Sequence, residues 1–291
     1  MTHQAKQTAA RTRTGAWAVH EGLAALGADA TALLRSLDDM FTGWGVALGA
    51  EQMSFSPLIR ADALHSLGYF SNFPHLGTVV SQLRAERLDD YTKTTAVDLI
   101  PAEDIAPARY LLPSAACYNI YLHLSGITLD SPALITTAAH CFRNEDHYDG
   151  LRRLWGFSMR EIVCVGSAEA VRCHLECHHQ MLTGFLTRLG LRLDRQVATD
   201  PFFHKNDPRT FLQKIDPVKD EYLSADGTAV ASMNYHRNFF GERCQITHKG
   251  RPAFTGCVAF GLERWVHVLT EAFAGDLSAA REAVLAAGEP A

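Results

Sequence analysis

The stretch CFRNE (141–145), followed after a polar loop by RRLWGFSMREI (152–162), decides how this chain is read. ITTAAHCFRNE (135–145) is rich in β-branched and small residues, and FSMREIVCV (157–165) alternates, so both are predicted strands. The loop DHYDGLRRLWG between them suggests an antiparallel pair. Period 2 puts Arg143 and Glu145 on one face of the first strand. It puts Phe157, Met159, Glu161, Val163 and Val165 on one face of the second, which Arg153 enters. Paired, the strands gather guanidinium groups, carboxylates and an aromatic plane. A guanidinium grips phosphate bidentately. An aromatic face stacks a base, and carboxylates accept from a purine amino group or hold Mg2+. Taken singly, each of these residues also fits an exposed, salt-bridged hairpin.

Working outward, Ser167 can cap a helix that runs to about Leu189 and is closed by Gly190. Its apolar stripe is Val171, Leu175, Leu182, Phe185 and Leu189. FTGCVAFG (254–261) reads as a strand turning into a helix with Leu262, Trp265, Val266, Leu269 and Phe273 on one face. Further strands are predicted near KDEYLS (219–224), AVASMNY (229–235) and ERCQITH (242–248). Upstream, Trp17 to about Leu37 reads as a helix and EQMSFSPLI (51–59) as a strand. A short helix with Ala61, Leu64 and Leu67 follows, then an aromatic loop, YFSNFPHL (69–76). Helices first, then hairpin-linked strands, point to an α+β domain on an antiparallel sheet. One catalytic domain is expected over 17–280, with a flexible tail at 1–16 and an Ala-rich, fraying one at 281–291.

The 291 residues are 47% hydrophobic and 20% charged, enough for a sizeable core, which excludes disorder as the main state. Lys+Arg 27 against Asp+Glu 32 gives a net charge of -5, which argues against a broad nucleic-acid surface. No apolar run approaches the roughly 18 residues of a membrane helix. The N-terminus lacks the apolar region of a secretory signal. Seven scattered cysteines suit a reducing cytoplasm, the expected location.

The chain has no G-x-x-x-x-G-K-S/T, no H-E-x-x-H and no G-x-S-x-G. GWGVALG (43–49) has the wrong glycine spacing for a dinucleotide loop, and no strand precedes it. CHLECHH (173–179) is the loudest local metal pattern, with Cys173 and Cys177, and His174 and His178, each four apart on a helix. Two ligands per face do not complete a tetrahedral site, so the stretch reads as a partly buried, partly solvated helix, with a metal site as the alternative.

The order Phe-Arg-x-Glu, loop, Arg-x-x-x-Phe-x-x-x-Glu resembles motif 2 of class II aminoacyl-tRNA synthetases. GCVAFGLER (256–264) is similar to their motif 3, with Arg264 in the first turn of a helix, where backbone N–H groups also favour phosphate. RYLLPSAACYNIYLHLSG (109–126) is similar to the seryl-type core, so the resemblance covers roughly 107–275. Where the usual synthetase has Thr-x-Glu, this chain reads Ser114, Ala115, Ala116, Cys117. The zinc-dependent seryl synthetases of methanogens and the bacterial amino acid:[carrier protein] ligases show that swap. In both, Cys, Glu and Cys hold one zinc ion. Carried over, the resemblance implies Cys117, Glu161 and Cys257 as zinc ligands, displacing CHLECHH. Cys117 as a plain buried thiol remains the alternative. Cys141, Cys164 and Cys244 read as core thiols.

Only about 100 residues precede this core, without heptads or a basic stripe, so tRNA is not the expected acceptor. YFSNFPHL (69–76) and SMNYHRNFFGERC (232–244) resemble the carrier-protein ligases. That resemblance implies an ATP-dependent enzyme that activates a small amino acid, glycine or alanine, as an aminoacyl-adenylate. The acyl group then passes to the phosphopantetheine thiol of a carrier protein. It further implies Arg143 at the α-phosphate, Phe157 on adenine, and Glu145 at the adenine amino group. Arg153 falls at the terminal phosphates, and Arg264 on the second adenine face or at the γ-phosphate. Ser232 and Asn234 would line the amino-acid pocket, and Glu221 is the candidate Mg2+ ligand. A homodimer is expected, with VDLIPAED around Pro101 as the candidate interface. The alternatives are a minimal seryl-type tRNA synthetase and a non-catalytic paralogue acting as a binding module.

Overall fold

The computed structural model describes residues 12–13, 16–200, 203 and 218–288. The site-forming sheet has ten strands: β1 (Thr12–Arg13), β2 (Trp17–His20), β3 (Leu23–Leu26), β4 (Glu51–Gln52), β5 (Ala133–Phe142), β6 (Gly156–Gly166), β7 (Asp194–Val197), β8 (Lys219–Leu223), β9 (Ala229–Arg237) and β10 (Phe254–Gly261). Its heart is the antiparallel run β5-β6-β10-β9-β8-β7. The β1-β2-β3 meander joins β6 in parallel at Gly156↔Leu23, and β4 lies parallel to β5. Helices α1 (Ala28–Ala47), α2 (Ala168–Leu189), α3 (Leu262–Ala272) and α4 (Leu277–Gly288) build the helical layer.

Alternation divides each central strand between two tasks. The helix-side residues Ile162, Met233, Val258 and Phe260 join Leu37 and Phe41 of α1, Phe185 of α2 and Trp265 of α3 in one buried core. Phe41 stacks on Phe260 with centroids 3.8 Å apart. Each such buried side chain contributes about 1.5–3 kcal/mol. Arg160 also points to this side, held bidentately by Asp38 of α1 at 2.7 and 2.8 Å. On the opposite face Val163 and Val165 pack with Ile120 and Tyr121 of the short helix Tyr118–His123 and with Phe240 of Phe239–Arg243. Gly241 makes the second approach possible, because a Cβ there would lie 2.0 Å from the Ala253 carbonyl oxygen.

Helix α2 starts where Ser167 Oγ accepts from the Ala170 N–H and ends at left-handed Gly190, as its capping residues predict. The predicted strands at 157–165, 219–224, 229–235 and 254–261 correspond to β6, β8, β9 and β10. Other expectations need correction. Residues 17–37 are not one helix: a hairpin turns at Glu21–Gly22, and the helix starts at Ala28. The strand expected over 51–59 survives only as Glu51–Gln52 and Ile59–Arg60. The aromatic loop 69–76 holds a short helix, Tyr69–Asn72, and a helical turn, Pro74–Leu76. The strand expected over 242–248 is mostly the end of helix Phe239–Arg243, with Thr247–His248 alone extended. The C-terminus does not fray through Gly288, because Val284 and Ala287 are buried in the core. The N-terminal tail 1–16 falls outside the described residues apart from Thr12, Arg13 and Ala16.

Candidate active site

The face of the sheet turned away from the four long helices carries a cavity of about 550 Å3. Register builds it. Glu161 on β6 lies beside Ala259 on β10, which lies beside Ser232 on β9, which lies beside Glu221 on β8. One step along, Val163, Cys257, Asn234 and Lys219 repeat the row. A two-residue period across four strands thus converts residues distant in sequence into one lining.

At the inner end, one ligand atom each from Cys117, Glu161 and Cys257 lies within 4.8 Å of the others, and all three residues are buried. Two sulfurs on a tetrahedral zinc ion with bonds of about 2.3 Å sit about 3.8 Å apart, so the spacing suits such an ion. Glu161 Oε1 accepts from the Ala116 N–H at 2.8 Å and the Cys117 N–H at 3.3 Å. Its other oxygen, Oε2, is buried without a hydrogen-bond partner among the described residues. The hydrogen bond with Cys257, burial and the Glu161 charge push the Cys117 thiol well above its ordinary range. Cys257 is also raised: its bond to Cys117 lowers it, but burial and Glu161 outweigh that. Three acidic groups crowded out of water, one with an orphaned oxygen, are a poor arrangement without a cation. They fit a soft divalent ion and leave a fourth position open. The Asn234 amide donates to Cys257 Sγ at 3.4 Å and to Ser232 Oγ at 3.1 Å.

The outer end holds the charged groups. Because β5 stops at Phe142, Arg143 and Glu145 stand on the following loop rather than on the strand predicted for them. Arg143 Nε donates to the Ser114 carbonyl at 3.0 Å, and its guanidinium lies 5.2 Å from the Phe157 ring centroid. Arg153 Nη1 donates to Glu145 Oε2 at 2.5 Å. Arg264, in the first turn of α3, is fixed by the carbonyls of Arg152 and Ala229 at 2.8 and 2.9 Å. Burial, with Arg143 nearby, lowers its pKa to about 10. Glu145 and Glu221 act in the opposite direction, but the guanidinium's own hydrogen bonds go to two neutral acceptors, which leaves its charge available to an anion. Lys219 Nζ lies 3.0 Å from Glu221 and 3.7 Å from Asp200.

Arg143, Glu145, Arg153, Ser232, Asn234, Arg264, Cys117, Glu161 and Cys257 therefore line one cavity, together with Glu221. Phe157 lines a smaller space that shares Arg143, Glu145 and Arg264 with it. The sequence reading did not single out Glu263, His236 or Lys219. Glu263 is buried, its pKa raised by that burial, and accepts from the Ser158 N–H at 2.8 Å. Its position inside GLER was the available signal. Lys219 shares the in-register face with Glu221, opposite Asn234 and Ser232, a signal visible only once the strands are aligned, and His236 follows in the bulge that ends this register.

CHLECHH divides by face. Cys173 and Cys177 lie on the outer side of α2 with sulfurs 3.9 Å apart, and Cys173 is exposed. His174 and His178 point inward: His174 Nε2 meets the Ile162 carbonyl at 3.1 Å and His178 Nδ1 the His174 carbonyl at 2.8 Å. The four side chains do not converge.

No protein-family model matches the chain. Among curated proteins it is 32% identical over 250 residues to amino acid–[acyl-carrier-protein] ligase 1 of Bradyrhizobium diazoefficiens, covering 79% of this chain and 74% of that protein. It is 34% identical over 228 residues to ligase 2 of the same organism, covering 74% and 67%. The type-2 serine–tRNA ligase of Methanocaldococcus jannaschii is 27% identical over 262 residues, covering 81% of this chain and 50% of that protein. Among solved structures, M. kandleri SerRS in complex with A. aeolicus tRNASec superposes with a TM-score of 0.73 at 22% identity. Giardia lamblia prolyl-tRNA synthetase in complex with prolyl-adenylate gives 0.65 at 13%. Each comparison covers 86% of this chain but only 53% and 47% of the synthetase, so the chain spans about half their length. These likenesses show a class II synthetase-like fold.

Proposed function

The chain belongs to the amino acid–[acyl-carrier-protein] ligases, and from that premise we propose that it activates a small amino acid with ATP and loads it onto a carrier-protein thiol. The observation that carries this reading is the convergence of Cys117, Glu161 and Cys257 at one end of a cavity whose other end holds Arg143, Arg153 and Arg264. Such a cavity takes an amine at one end and a polyphosphate at the other.

The chemistry has two displacements. The amino-acid carboxylate attacks the α-phosphorus of ATP and pyrophosphate leaves. The phosphopantetheine thiol then attacks the adenylate carbonyl and AMP leaves. Arg143 bridges the carboxylate and the α-phosphate, opposing the charge that develops in the first step. Phe157 offers a ring to adenine, Glu145 accepts from its amino group, and Arg153 and Arg264 hold the phosphates. Glu221 is the carboxylate placed for Mg2+. Cys117, Glu161 and Cys257 are the zinc ligands of this reading; a bound ion would supply an open position for the free amine of the substrate. Ser232 and Asn234 border that end and face the amino acid. Holding both reactants in one cleft is itself a large share of the acceleration.

Glycine and alanine differ by one methyl group, worth about 1–3 kcal/mol, so a few wall residues set the choice. A cytoplasmic location belongs to the reading; no helix among the described residues is long and apolar enough to cross a membrane. So does a homodimer, which the exposure of Val97, Leu99 and Ile100 in the VDLIPAED region supports.

Pyrophosphate exchange measured across all amino acids, followed by transfer of radiolabelled amino acid to holo carrier protein and to tRNA, tests the proposal. Exchange with glycine or alanine and label on the carrier protein are expected. Label on tRNA alone would establish the synthetase reading instead, and absence of exchange with any amino acid would leave a binding module.

A further inference from the structure

The geometry points to His236 as a positioning residue of the metal cluster: its imidazole Nε2–H is aimed at the Cys257 sulfur, and it fixes that thiolate for the ion. The inference rests on the zinc reading above and deepens it.

The backbone supplies the first argument. Along the β9–β10 ladder Asn234 pairs with Cys257, Tyr235 with Gly256 and Arg237 with Thr255, so His236 sits in a bulge without a cross-strand partner. The next residue, Arg237, has φ +54. A non-glycine residue in the left-handed region costs free energy and is retained where the surroundings enforce it. Bulges beside active sites re-aim a side chain. This one leaves the ring between Tyr121 and Phe240, edge-on to both with centroids 6.0 and 5.1 Å away.

The polar contacts supply the second. His236 Nε2 lies 3.9 Å from Cys257 Sγ. His236 Nδ1 lies 3.3 Å from the Tyr121 hydroxyl and 3.4 Å from Thr255 Oγ1. A hydroxyl donated to Nδ1, by Thr255 or by Tyr121, which also reaches Cys117, leaves the ring proton on Nε2, facing sulfur. With the Asn234 amide at 3.4 Å, Cys257 receives two N–H groups from one strand. Glu161 Oε1 likewise receives two backbone N–H groups, which turns its free oxygen to the same point. Two of the three ligands are thus each held by a pair of donors, as outer partners orient metal ligands elsewhere.

The test compares wild-type protein with His236→Phe, His236→Gln and Tyr121→Phe. Zinc affinity is read by competition with a chromophoric chelator, and the environment of the sulfurs by the thiolate-to-cobalt absorption of Co2+-loaded protein. Outer partners of metal ligands are worth about 10–100-fold in affinity. His236→Phe should weaken zinc by that factor and shift the cobalt band. His236→Gln, whose amide can restore a donor, should recover most of both, and Tyr121→Phe should lie between them. The far-ultraviolet circular dichroism of each metal-free variant checks its fold, and His236→Asn, whose amide is too short to reach the sulfur, carries the test should His236→Phe not fold, because Tyr121 also hydrogen-bonds Cys117. If wild-type protein binds zinc with thiolate bands and every variant matches it, the role of His236 is overturned while the zinc site stands. If wild-type protein binds neither zinc nor cobalt, the zinc reading itself falls.

Discussion

The two faces of strand β6 put the same backbone to opposite uses. Its helix-side residues end in matched partners: Arg160 in the carboxylate of Asp38, Ile162 in the core and, through its carbonyl, in His174. Its opposite face divides: Val163 and Val165 pack into a second core, whereas Phe157 and Met159 border cavities and Glu161 keeps an oxygen without a hydrogen-bond partner among the described residues. One face spends its contacts on folding. The other holds polar groups that only a ligand satisfies, a division expected where function sits on a rigid scaffold. Substitutions at the polar cavity residues should therefore remove binding and activity with little change in stability, and substitutions on the helix face should do the reverse.

The sharpest break would come at the cluster. Cys117→Ser, Glu161→Gln or Cys257→Ser each removes a ligand and should cost more than the roughly 100-fold in metal affinity that outer partners are worth, with amino-acid activation lost alongside. Cys173→Ser and Cys177→Ser should leave one bound ion per chain, read by elemental analysis. On the helix face, Asp38→Ala strands a nearly buried guanidinium and should lower unfolding free energy by about 3 kcal/mol, measured in urea, with pyrophosphate exchange by the folded fraction retained. Arg143→Ala should reverse that pattern: about 100-fold slower exchange at unchanged urea midpoint.

The buried histidines add a pH dependence. Burial, with His178 close by, lowers His174 to about 3, so the folded chain keeps it neutral. The unfolded chain protonates it below about 6.5. Stability is then full above pH 6.5 and falls as pH drops towards 3, by up to about 1.4 kcal/mol per unit, or about 2 kcal/mol by pH 5. His178 is lowered by burial as well and adds in the same direction. Urea midpoints from pH 7 to pH 5 should show this slope, and His174→Leu should flatten it. The smallest effect expected is at Ser167→Ala, which removes the cap of α2 and should cost about 1 kcal/mol.

What could be read from sequence follows from range. Strands β6 and β10 alternate on their own, and helix α2 carries its start and stop signals within its own residues, so these were legible. The region 17–37 was not, because Leu23, Leu26, Leu33 and Leu34 fall near a helical period although a hairpin contributes the first two. The turn was signalled weakly by Gly22, where a Cβ would meet Tyr148 at 2.6 Å. The cluster lay beyond periodicity altogether. Cys117, Glu161 and Cys257 belong to a helix start, β6 and β10, and only likeness to known catalytic cores singled them out. CHLECHH shows the converse: closeness along one helix placed its thiols and imidazoles on different sides, as the reading of a partly buried, partly solvated helix expects.

That Cys117, Glu161 and Cys257, the proposed ligands, stand so far apart along the polypeptide has a thermodynamic consequence. An ion gripping all of them acts as a cross-link between segments that chain entropy otherwise drives apart. Because it binds only the assembled pocket, every increment of loading adds to the free energy of the native state, about 2.7 kcal/mol at a hundredfold excess over the dissociation constant. On the proposed zinc reading the melting temperature would gauge the available metal, and a chelator should lower it before any catalytic step is assayed.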